Sequence, residues 1–341
     1  MNLSDSAQGL PSWLVVLLVV AAVLAALAVV NNVIARLAER RHPPKGRFIE
    51  VDGARLHYSD RGAGRPVVLL HGNAVTGDDY NTSGVAERLV GTYRVIIFDR
   101  PGFGHSDRPR GRLWTAAEQA DLIHAALARL GIGPAVVVGH SWGTLVALAL
   151  AERHPADAAG LVLLSGYYFP TPRLDALLVA PAAVPMLGDV LRHTISPVFG
   201  WITMPAMKRA MFAPAPMTER FKREYSTALA LRPSQLRATA SDGALMMTDA
   251  AGLSARYGEL SMPVAIVAGN GDKVVGPDHA ERLRGAIPDG TLRIVDGAGH
   301  MVHHVATEQA VEAIEEVAKR SEPALADGAA ARAAGQGRGG A

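Results

Sequence analysis

AVVVGHSWGTLVAL, residues 135–148, decides the fold of this chain. Its β-branched start is typical of a strand buried on both faces, and the residues from Thr144 favour a helix that stops before Pro155. Between them lies a G-x-S-x-G turn, whose small residues let strand and helix approach closely. The pattern predicts that the Ser141 hydroxyl lies at the C-terminal edge of a parallel sheet, beside a helix N-terminus that favours an oxyanion. The alternative is a glycine-punctuated turn whose serine has no chemical role.

Composition narrows the class of protein. A chain of 341 residues can form one large α/β domain with an insertion, or two ordinary domains. The formal net charge of +2 gives no strong global field, so no nucleic-acid partner is predicted. The absence of cysteine excludes disulfides, a thiol nucleophile and cysteine-ligated metals. Because the histidines show no spacing such as H-E-x-x-H, no metal site is predicted. No cofactor is expected.

An apolar segment near the N-terminus predicts a membrane anchor. Residues 13–30 are uncharged and apolar throughout, and as a helix they would span about 27 Å, close to the hydrocarbon thickness of a bilayer. Basic residues follow the segment, so the positive-inside rule places the N-terminus outside and the bulk of the chain in the cytoplasm. These basic residues are Arg36, Arg40, Arg41, Lys45 and Arg47.

A cleaved signal peptide is the competing interpretation of this segment. Ala26-Leu27-Ala28 imitates a cleavage site, and cleavage would leave the rest of the chain exported. The segment has no basic start, however, and it is longer than the apolar region of a typical signal peptide. A single-pass anchor is therefore preferred. A buried core helix is disfavoured because the segment is apolar on all faces and stands outside the predicted domain.

Beyond the anchor, β-branched runs alternate with helical patterns on short loops. This alternation predicts a doubly wound, mostly parallel α/β sheet of the eight-stranded type, opening with a hairpin around Asp52-Gly53. The alternation breaks over a segment rich in proline, methionine and alanine, which predicts a helical lid inserted over the C-terminal ends of the strands. The expected segments are an N-terminal tail (1–12), the anchor helix (13–35), a basic linker (36–47), the core (48–166 and 260–320), the lid (167–259) and a disordered tail (321–341).

Two residues complete a catalytic constellation with Ser141. A serine nucleophile needs a base, which in turn needs an orienting carboxylate. Asp272 follows the predicted strand 263–268, and His300 follows the predicted strand 291–295. Because the ends of parallel strands meet at one sheet edge, both are expected near Ser141.

Other acids and histidines are less suitable. Asp296 is too close to His300 in sequence to orient it without the loop doubling back. His303 and His304 are rival bases that look more like the start of the next helix. The remaining candidates are expected in structural roles: His71 and His105 as hydrogen-bonded loop residues, His140 pointing away from the serine, and Asp99 pinning its own turn.

Several motifs in the expected order give the chain a resemblance to the α/β-hydrolase superfamily. They are His71-Gly72, the DRPGFGHS run at 99–106, GHSWG at 139–143, GDKVV at 271–275 and GAGH at 297–300. The resemblance covers roughly residues 48–319 and is greatest to the lid-bearing branch, which includes esterases and epoxide hydrolases.

The resemblance implies a role for each site residue. Ser141 is the implied nucleophile, His300 the general base and then acid, and Asp272 its orienting carboxylate. The backbone N–H groups of Asn73 and Trp142 are the implied oxyanion hole.

The serine also restricts the reaction. Epoxide hydrolases and dehalogenases use an aspartate, whose ester intermediate water can open, whereas a serine would leave an inert ether. An acyl-enzyme on Ser141 is therefore expected, with ester hydrolysis of a hydrophobic substrate preferred. C–C bond hydrolysis and haloperoxidase or perhydrolase activity would use the same residues, and a non-catalytic receptor is less favoured. An adaptable apolar pocket is suggested by the lid methionines Met186, Met204, Met207, Met211, Met217, Met246 and Met247.

Overall fold

The computed structural model describes residues 10–172 and 180–322. The predicted tails, 1–12 and 321–341, lie almost entirely outside these ranges.

The centre of the molecule is one sheet of eight strands, which confirms the predicted fold class. Most strands begin and end within two residues of the apolar runs in the sequence, because each run has the length of one strand. The strands are β1 (Arg47–Val51), β2 (Ala54–Arg61), β3 (Arg65–Leu70), β4 (Tyr93–Phe98), β5 (Ala135–His140), β6 (Ala158–Leu164), β7 (Val264–Gly269) and β8 (Gly290–Val295).

The strand order is β1-β2-β4-β3-β5-β6-β7-β8. β1 and β2 form the predicted hairpin, with Val51 opposite Ala54, and β2 is antiparallel to β4. The pairings from β4 to β8 are all parallel. Every residue of β5 and β6 is buried, as expected of central strands covered on both faces. The C-terminal ends of β3, β5, β7 and β8 therefore meet at one edge of the sheet.

Helices cover both faces of the sheet. The described residues form thirteen α-helices, of which α4, α5 and α11 pack on one face and α3 and α13 on the other. The helices are α1 (Ser12–Arg41), α2 (Asp79–Thr82), α3 (Val85–Leu89), α4 (Ala116–Arg129), α5 (Gly143–Arg153), α6 (Leu187–His193), α7 (Ile195–Phe212), α8 (Glu219–Glu224), α9 (Thr227–Ala230), α10 (Pro233–Ser254), α11 (Asp278–Ala286), α12 (Val302–Val305) and α13 (Thr307–Arg320).

The chain between β6 and β7 is a helical insertion that carries α6 to α10. Hydrogen bonds join this insertion to loops at the C-terminal edge of the sheet, and three of them show the arrangement. Met211 O accepts from Met301 N at 3.1 Å, and the Tyr225 hydroxyl donates to Ala74 O at 3.0 Å. The third bond runs from Trp142 Nε1 to Asp242 O and is 2.9 Å long. The insertion thus lies against this edge.

Helix α1 contains the predicted apolar segment and extends beyond it. In the part of the chain that the structure describes, α1 is the one helix long and apolar enough to cross a membrane. It ends at Arg41, so residues 36–41, expected in a basic linker, continue the helix. Ala35 and Ala38 are buried, which shows that this end of α1 packs against the rest of the molecule.

Polar contacts hold the end of α1 on the insertion. Asn31 Nδ2 donates to the carbonyl oxygens of His193, at 3.0 Å, and Thr194, at 2.8 Å. Eight residues later, Glu39 Oε1 lies 2.9 Å from Arg232 Nη1, whose side chain is almost completely buried. The last turns of α1 are therefore packed against the folded domain.

Candidate active site

Ser141 lies on a strained turn between β5 and α5. Its φ is +52°, a left-handed conformation that is costly for a residue with a side chain. A Cβ added at Gly139 would lie 2.7 Å from Gly143 O, and one at Gly143 would lie 2.3 Å from Leu70 O. Only glycine fits at either position, which explains the G-x-S-x-G pattern.

The structure brings together the three residues that the sequence singles out. Ser141 Oγ lies 2.8 Å from His300 Nε2, and His300 Nδ1 lies 2.8 Å from Asp272 Oδ2. His300 and Asp272 are almost fully buried, whereas Ser141 is half-buried. A proton can therefore pass from the serine hydroxyl to an imidazole whose far side faces a carboxylate.

Asp272 is held by the loop that follows β7. Its second oxygen, Oδ1, accepts hydrogen bonds from the backbone N–H groups of Val274, at 2.8 Å, and Val275, at 2.9 Å. These bonds fix the carboxylate plane so that Oδ2 points at His300.

The loop after β3 lies directly beside Ser141. A Cβ added at Gly72 would be 2.9 Å from Ser141 Cβ. The residue before Asn73 is therefore in close contact with the serine. The Asn73 side chain accepts a hydrogen bond from Arg100 Nη2 at 2.8 Å. Asn73, which follows Gly72 on the loop after β3, and Trp142, the residue after Ser141, thus both lie next to the contact between that loop and the serine.

A buried ionic network, which the sequence analysis missed, lies behind Asn73. Arg100 Nη1 is 2.6 Å from Asp242 Oδ2, and neither side chain is exposed. Arg108 Nη1 lies 2.9 Å from the other oxygen of Asp242. Arg100 Nε also donates to His71 O at 2.7 Å. The network connects α10 of the insertion to the loop that carries Asn73. The DRPGFGHS motif contained Arg100, but no sequence signal distinguished Asp242 from other helical acids.

His71 is a structural residue of this loop. Its Nε2 accepts from the backbone N–H of Arg100 at 2.9 Å, and Nδ1 donates to Gly72 O at 2.7 Å. Burial, reinforced by the Arg100 guanidinium, lowers the pKa of His71 to about 4. The ring is therefore neutral at pH 7, as both hydrogen bonds require.

Asp296, the rival acid, and Asp99 form hydrogen bonds with groups other than His300. Asp296 is exposed and accepts from Asn270 Nδ2 at 2.9 Å. Asp99 accepts from Gly77 N at 2.8 Å and from His105 N at 3.0 Å, the contacts expected of a residue that pins its turn.

The rival bases form a separate buried cluster with Asp79. Nε2 of His303 and Nε2 of His304 each lie 2.8 Å from one oxygen of Asp79. Burial by itself would raise the pKa of Asp79, but His304 and His303 outweigh it and hold that pKa well below its usual range. The ring of His140 lies against His303, with centroids 4.3 Å apart, and its Nε2 contacts His300 O at 3.2 Å. The cluster thus supports the backbone of His300.

Among the described residues, Asp79, His140 and His303 form the one group whose ligand atoms could hold a metal ion, lying within 4.8 Å of one another. The Asp79 carboxylate already has an imidazole at hydrogen-bond distance on each oxygen. These bonds satisfy the buried carboxylate without an ion.

An open cleft with a cavity volume of about 120 Å³ lies beside Ala74, the residue after Asn73. It lies between the loop after β3, helices α8 and α9, and the chain after α1, but neither Ser141 nor His300 lines it. Its lining includes His42, Lys45, His57, Ala74, Val75, Asp79, Phe221, Glu224 and Tyr225.

Known proteins share parts of this chain and its fold. The chain is 34% identical over 155 residues to 2-hydroxymuconate semialdehyde hydrolase of Pseudomonas putida. The matched residues cover 46% of this chain and 55% of that enzyme. A thermophilic esterase from Thermogutta terrifontis superposes with a TM-score of 0.63 at 23% identity, covering 81% of this chain and 99% of the esterase. A bacterial membrane phospholipase A superposes with a TM-score of 0.63 at 21% identity, covering 90% of this chain and 97% of the phospholipase. At these identities, the two structures show a shared fold.

The family model described as the alpha/beta hydrolase fold matches residues 65–307, well over half of the chain. The matched range begins with β3 and extends past His300, so it contains the whole site and the insertion. The chain belongs to the alpha/beta hydrolase fold family and is a hydrolase.

Proposed function

We propose that this protein is a membrane-anchored serine hydrolase that cleaves a carboxylic ester of a hydrophobic substrate through an acyl-enzyme on Ser141. The observation that carries the proposal is the continuous contact from Ser141 Oγ through His300 to Asp272, with 2.8 Å at each step. This arrangement can activate a serine hydroxyl without a cofactor.

In the first half-reaction, His300 Nε2 takes the proton of Ser141 Oγ while the oxygen attacks the ester carbonyl carbon. The carbonyl oxygen becomes an oxyanion and accepts from the N–H groups of Asn73 and Trp142. The C–O bond to the alcohol then breaks, and His300 returns the proton to the leaving alkoxide. An acyl group remains on Ser141.

In the second half-reaction, a water molecule attacks the acyl carbon and gives its proton to His300. The bond to Ser141 Oγ breaks, the serine recovers the proton, and a carboxylic acid leaves. Asp272 stays ionised throughout and holds Nδ1 of the imidazole protonated.

Apolar side chains near the site support a hydrophobic substrate. Met211 and Phe212 of α7 pack with Val75 and Met301, residues that lie close in sequence to Asn73 and His300. Met204, Met211 and Met246 are buried, and the flexible thioether chain suits a pocket that adapts to different acyl groups.

The insertion is proposed to act as a lid. Its hydrogen bonds reach Ala74, Trp142 and Met301, each within two residues of a proposed catalytic or oxyanion residue. A segment so placed can exclude bulk water from an acyl-enzyme and shape the acyl pocket.

Membrane attachment is proposed through α1, with the catalytic domain on the cytoplasmic side. The apolar part of the helix has no buried residue, and the basic residues Arg36, Arg40 and Arg41 follow it. Resistance to carbonate extraction would support the anchor, and a C-terminal reporter active only in the cytoplasm would support the orientation. Release of the protein by carbonate would favour the signal-peptide alternative.

C–C bond hydrolysis is the second candidate. It is favoured by the 34% identity to 2-hydroxymuconate semialdehyde hydrolase, although less than half of the chain is matched. The same serine and histidine could process a vinylogous diketone. If the folded protein turned over neither an ester nor a diketone although its site residues are in place, perhydrolase activity or a receptor role would be favoured.

The test compares p-nitrophenyl esters from acetyl to palmitoyl with the full-length protein in detergent. Ser141→Ala and His300→Ala are expected to abolish hydrolysis while the thermal unfolding temperature stays close to that of the wild type. Turnover of a diketone but no ester would move the assignment to C–C hydrolysis. Undiminished ester hydrolysis by Ser141→Ala would show that the proposed mechanism is wrong.

A further inference from the structure

The first two helices of the insertion expose an unusual amount of apolar surface. In the described part of the chain, ten large apolar side chains between residues 184 and 207 are exposed, among them Met186 (81%), Phe199 (61%) and Ile202 (73%). Soluble monomers rarely expose contiguous apolar patches of this kind. The full set, here called the α6–α7 face, is Val184, Met186, Leu187, Val190, Ile195, Val198, Phe199, Trp201, Ile202 and Met207.

The exposure follows the helical repeat of α7. Ile195, Phe199 and Ile202 are spaced i, i+4 and i+7, so they lie on one side of the helix. Met204 and Met211 are buried and pack against other residues of the insertion and the core. Helix α7 is therefore apolar on its outer side as well as on the side that it needs for packing.

Helix α1 determines where this face lies. Asn31 is the first residue after the uncharged apolar segment, and its side chain bonds to the carbonyl groups of His193 and Thr194, between α6 and α7. Asn32 Nδ2 lies 3.1 Å from His193 Nδ1. The junction of α6 and α7 is thus held at the level at which the apolar segment of α1 ends.

We propose that the α6–α7 face is inserted into the interface of the lipid bilayer, with its side chains among the acyl chains next to α1. The inference rests on the membrane anchoring of α1 proposed above. Because the face is continuous with a membrane-spanning helix, lipid is the partner that its position and apolar chemistry fit. The basic side chains Arg36, Arg40 and Arg41 follow on α1, where anionic headgroups would meet them.

Helix α7 would then connect the bilayer to the active site. It begins at Ile195, beside Asn31, and its 18 residues span about 27 Å to Phe212. At its far end, Met211 O accepts from the N–H of Met301, the residue after His300. A lipid-soluble ester that enters along α7 could reach Ser141 without crossing bulk water.

Tryptophan fluorescence tests the insertion directly. Trp13 lies on α1 and Trp201 on the α6–α7 face, both exposed, whereas Trp114 and Trp142 are buried in the core. The full-length protein would be reconstituted in phosphatidylcholine vesicles with or without bromine on the acyl chains. The wild type would be compared with Trp13→Phe, Trp201→Phe and the double variant.

Brominated lipid is expected to quench the Trp13→Phe variant, and the quenched fraction should disappear in the double variant. Equal, residual quenching in those two variants would mean that lipid does not reach Trp201, and would overturn the proposal. Self-association would also overturn the proposal. It would appear as energy transfer between labelled copies that rises with protein concentration, with Trp201 shielded from the brominated lipid because a second chain covers the face. If Trp13 in the Trp201→Phe variant is not quenched, α1 is not inserted and both proposals on the membrane fail.

A paired activity measurement separates insertion from catalysis. Phe199→Ser with Ile202→Ser is expected to reduce hydrolysis of a vesicle-embedded ester at least tenfold, with p-nitrophenyl acetate hydrolysis unchanged. Leu113→Ser, an exposed apolar residue outside the face, is the matched control and should change neither rate. Equal rates on the embedded ester for the double variant and the control would count against insertion. If the wild type hydrolyses no ester, the esterase proposal fails while the fluorescence result still decides the insertion.

Discussion

The Asp242 carboxylate lies 2.6 Å from the Arg100 guanidinium, and the two fully buried side chains join the helical insertion to the loop that carries Asn73. The two residues are 142 positions apart in the chain. Burial lowers the pKa of Arg100, and the charge of Asp242 opposes this shift. A buried guanidinium keeps its charge, so burying it is costly unless a counter-charge such as Asp242 lies beside it.

Asp242→Asn is expected to destabilise the fold by about 3–5 kcal/mol, because Arg100 and Arg108 would remain buried without a counter-charge. Urea unfolding of the full-length protein in detergent measures the effect. Glu308→Gln, which removes an exposed ion pair with Arg88, is the matched control and should leave the midpoint unchanged. Similar midpoints for the two variants would show that the buried network contributes little to stability.

Asp272→Asn is expected to lower kcat by about 10⁴-fold, since an amide cannot stabilise the imidazolium that forms at His300. Steady-state hydrolysis of a soluble ester measures the loss. Asp296→Asn tests the rival acid, and its rate should equal that of the wild type because Asp296 is exposed and bonded to Asn270. The reverse pattern would assign the orienting role to Asp296.

Gly143→Ala is expected to destabilise the protein by about 1–3 kcal/mol and to lower activity, because the new Cβ would lie 2.3 Å from Leu70 O. Gly252→Ala in α10 is the control, since nothing lies within 4 Å of its added Cβ. The control should gain up to about 1 kcal/mol from its higher helix propensity. Unfolding curves that rank the two variants the other way would refute the close contact of strand and helix at the Ser141 turn.

The pH dependence of stability should change when Asp249 is replaced by asparagine. Burial raises the pKa of Asp249 from 3.8 to about 7, although the Ala116 N–H bond opposes the shift. Between these values the unfolded chain releases a proton that the folded chain keeps, so the contribution of this residue to stability falls as the pH rises.

Asp249→Asn removes that loss and keeps an oxygen for the Ala116 N–H. The thermal unfolding temperature of the variant, relative to the wild type, should therefore rise from pH 5 to pH 8. In large domains each kcal/mol corresponds to about 2–4 °C. A difference that is constant over this range would mean that Asp249 titrates near its ordinary pKa.

Much of the fold could be predicted because its signals are local. The predicted strands 263–268 and 291–295 form β7 and β8 with bounds that differ by at most one residue, since short apolar runs between turns mark strands of a covered sheet. Asp272 and His300 could be placed near Ser141 because each follows a strand of one parallel sheet. The anchor helix was expected to end at residue 35 but α1 continues to Arg41, where Ala38 is buried and Glu39 contacts Arg232 of the insertion, a contact distant in sequence.

The sequence by itself determined the elements, their alternation and the turn at Ser141, because each depends on neighbours within a few residues: periodicity, β-branching and glycines with no room for a Cβ. Only the tertiary structure decided that Asp242 faces Arg100 and that Asn31 bonds to Thr194, 163 residues away. Such contacts depend on how helices of the insertion dock on the sheet and on α1. Many docking arrangements share one hydrophobic pattern, so the pattern cannot specify which polar side chains become partners.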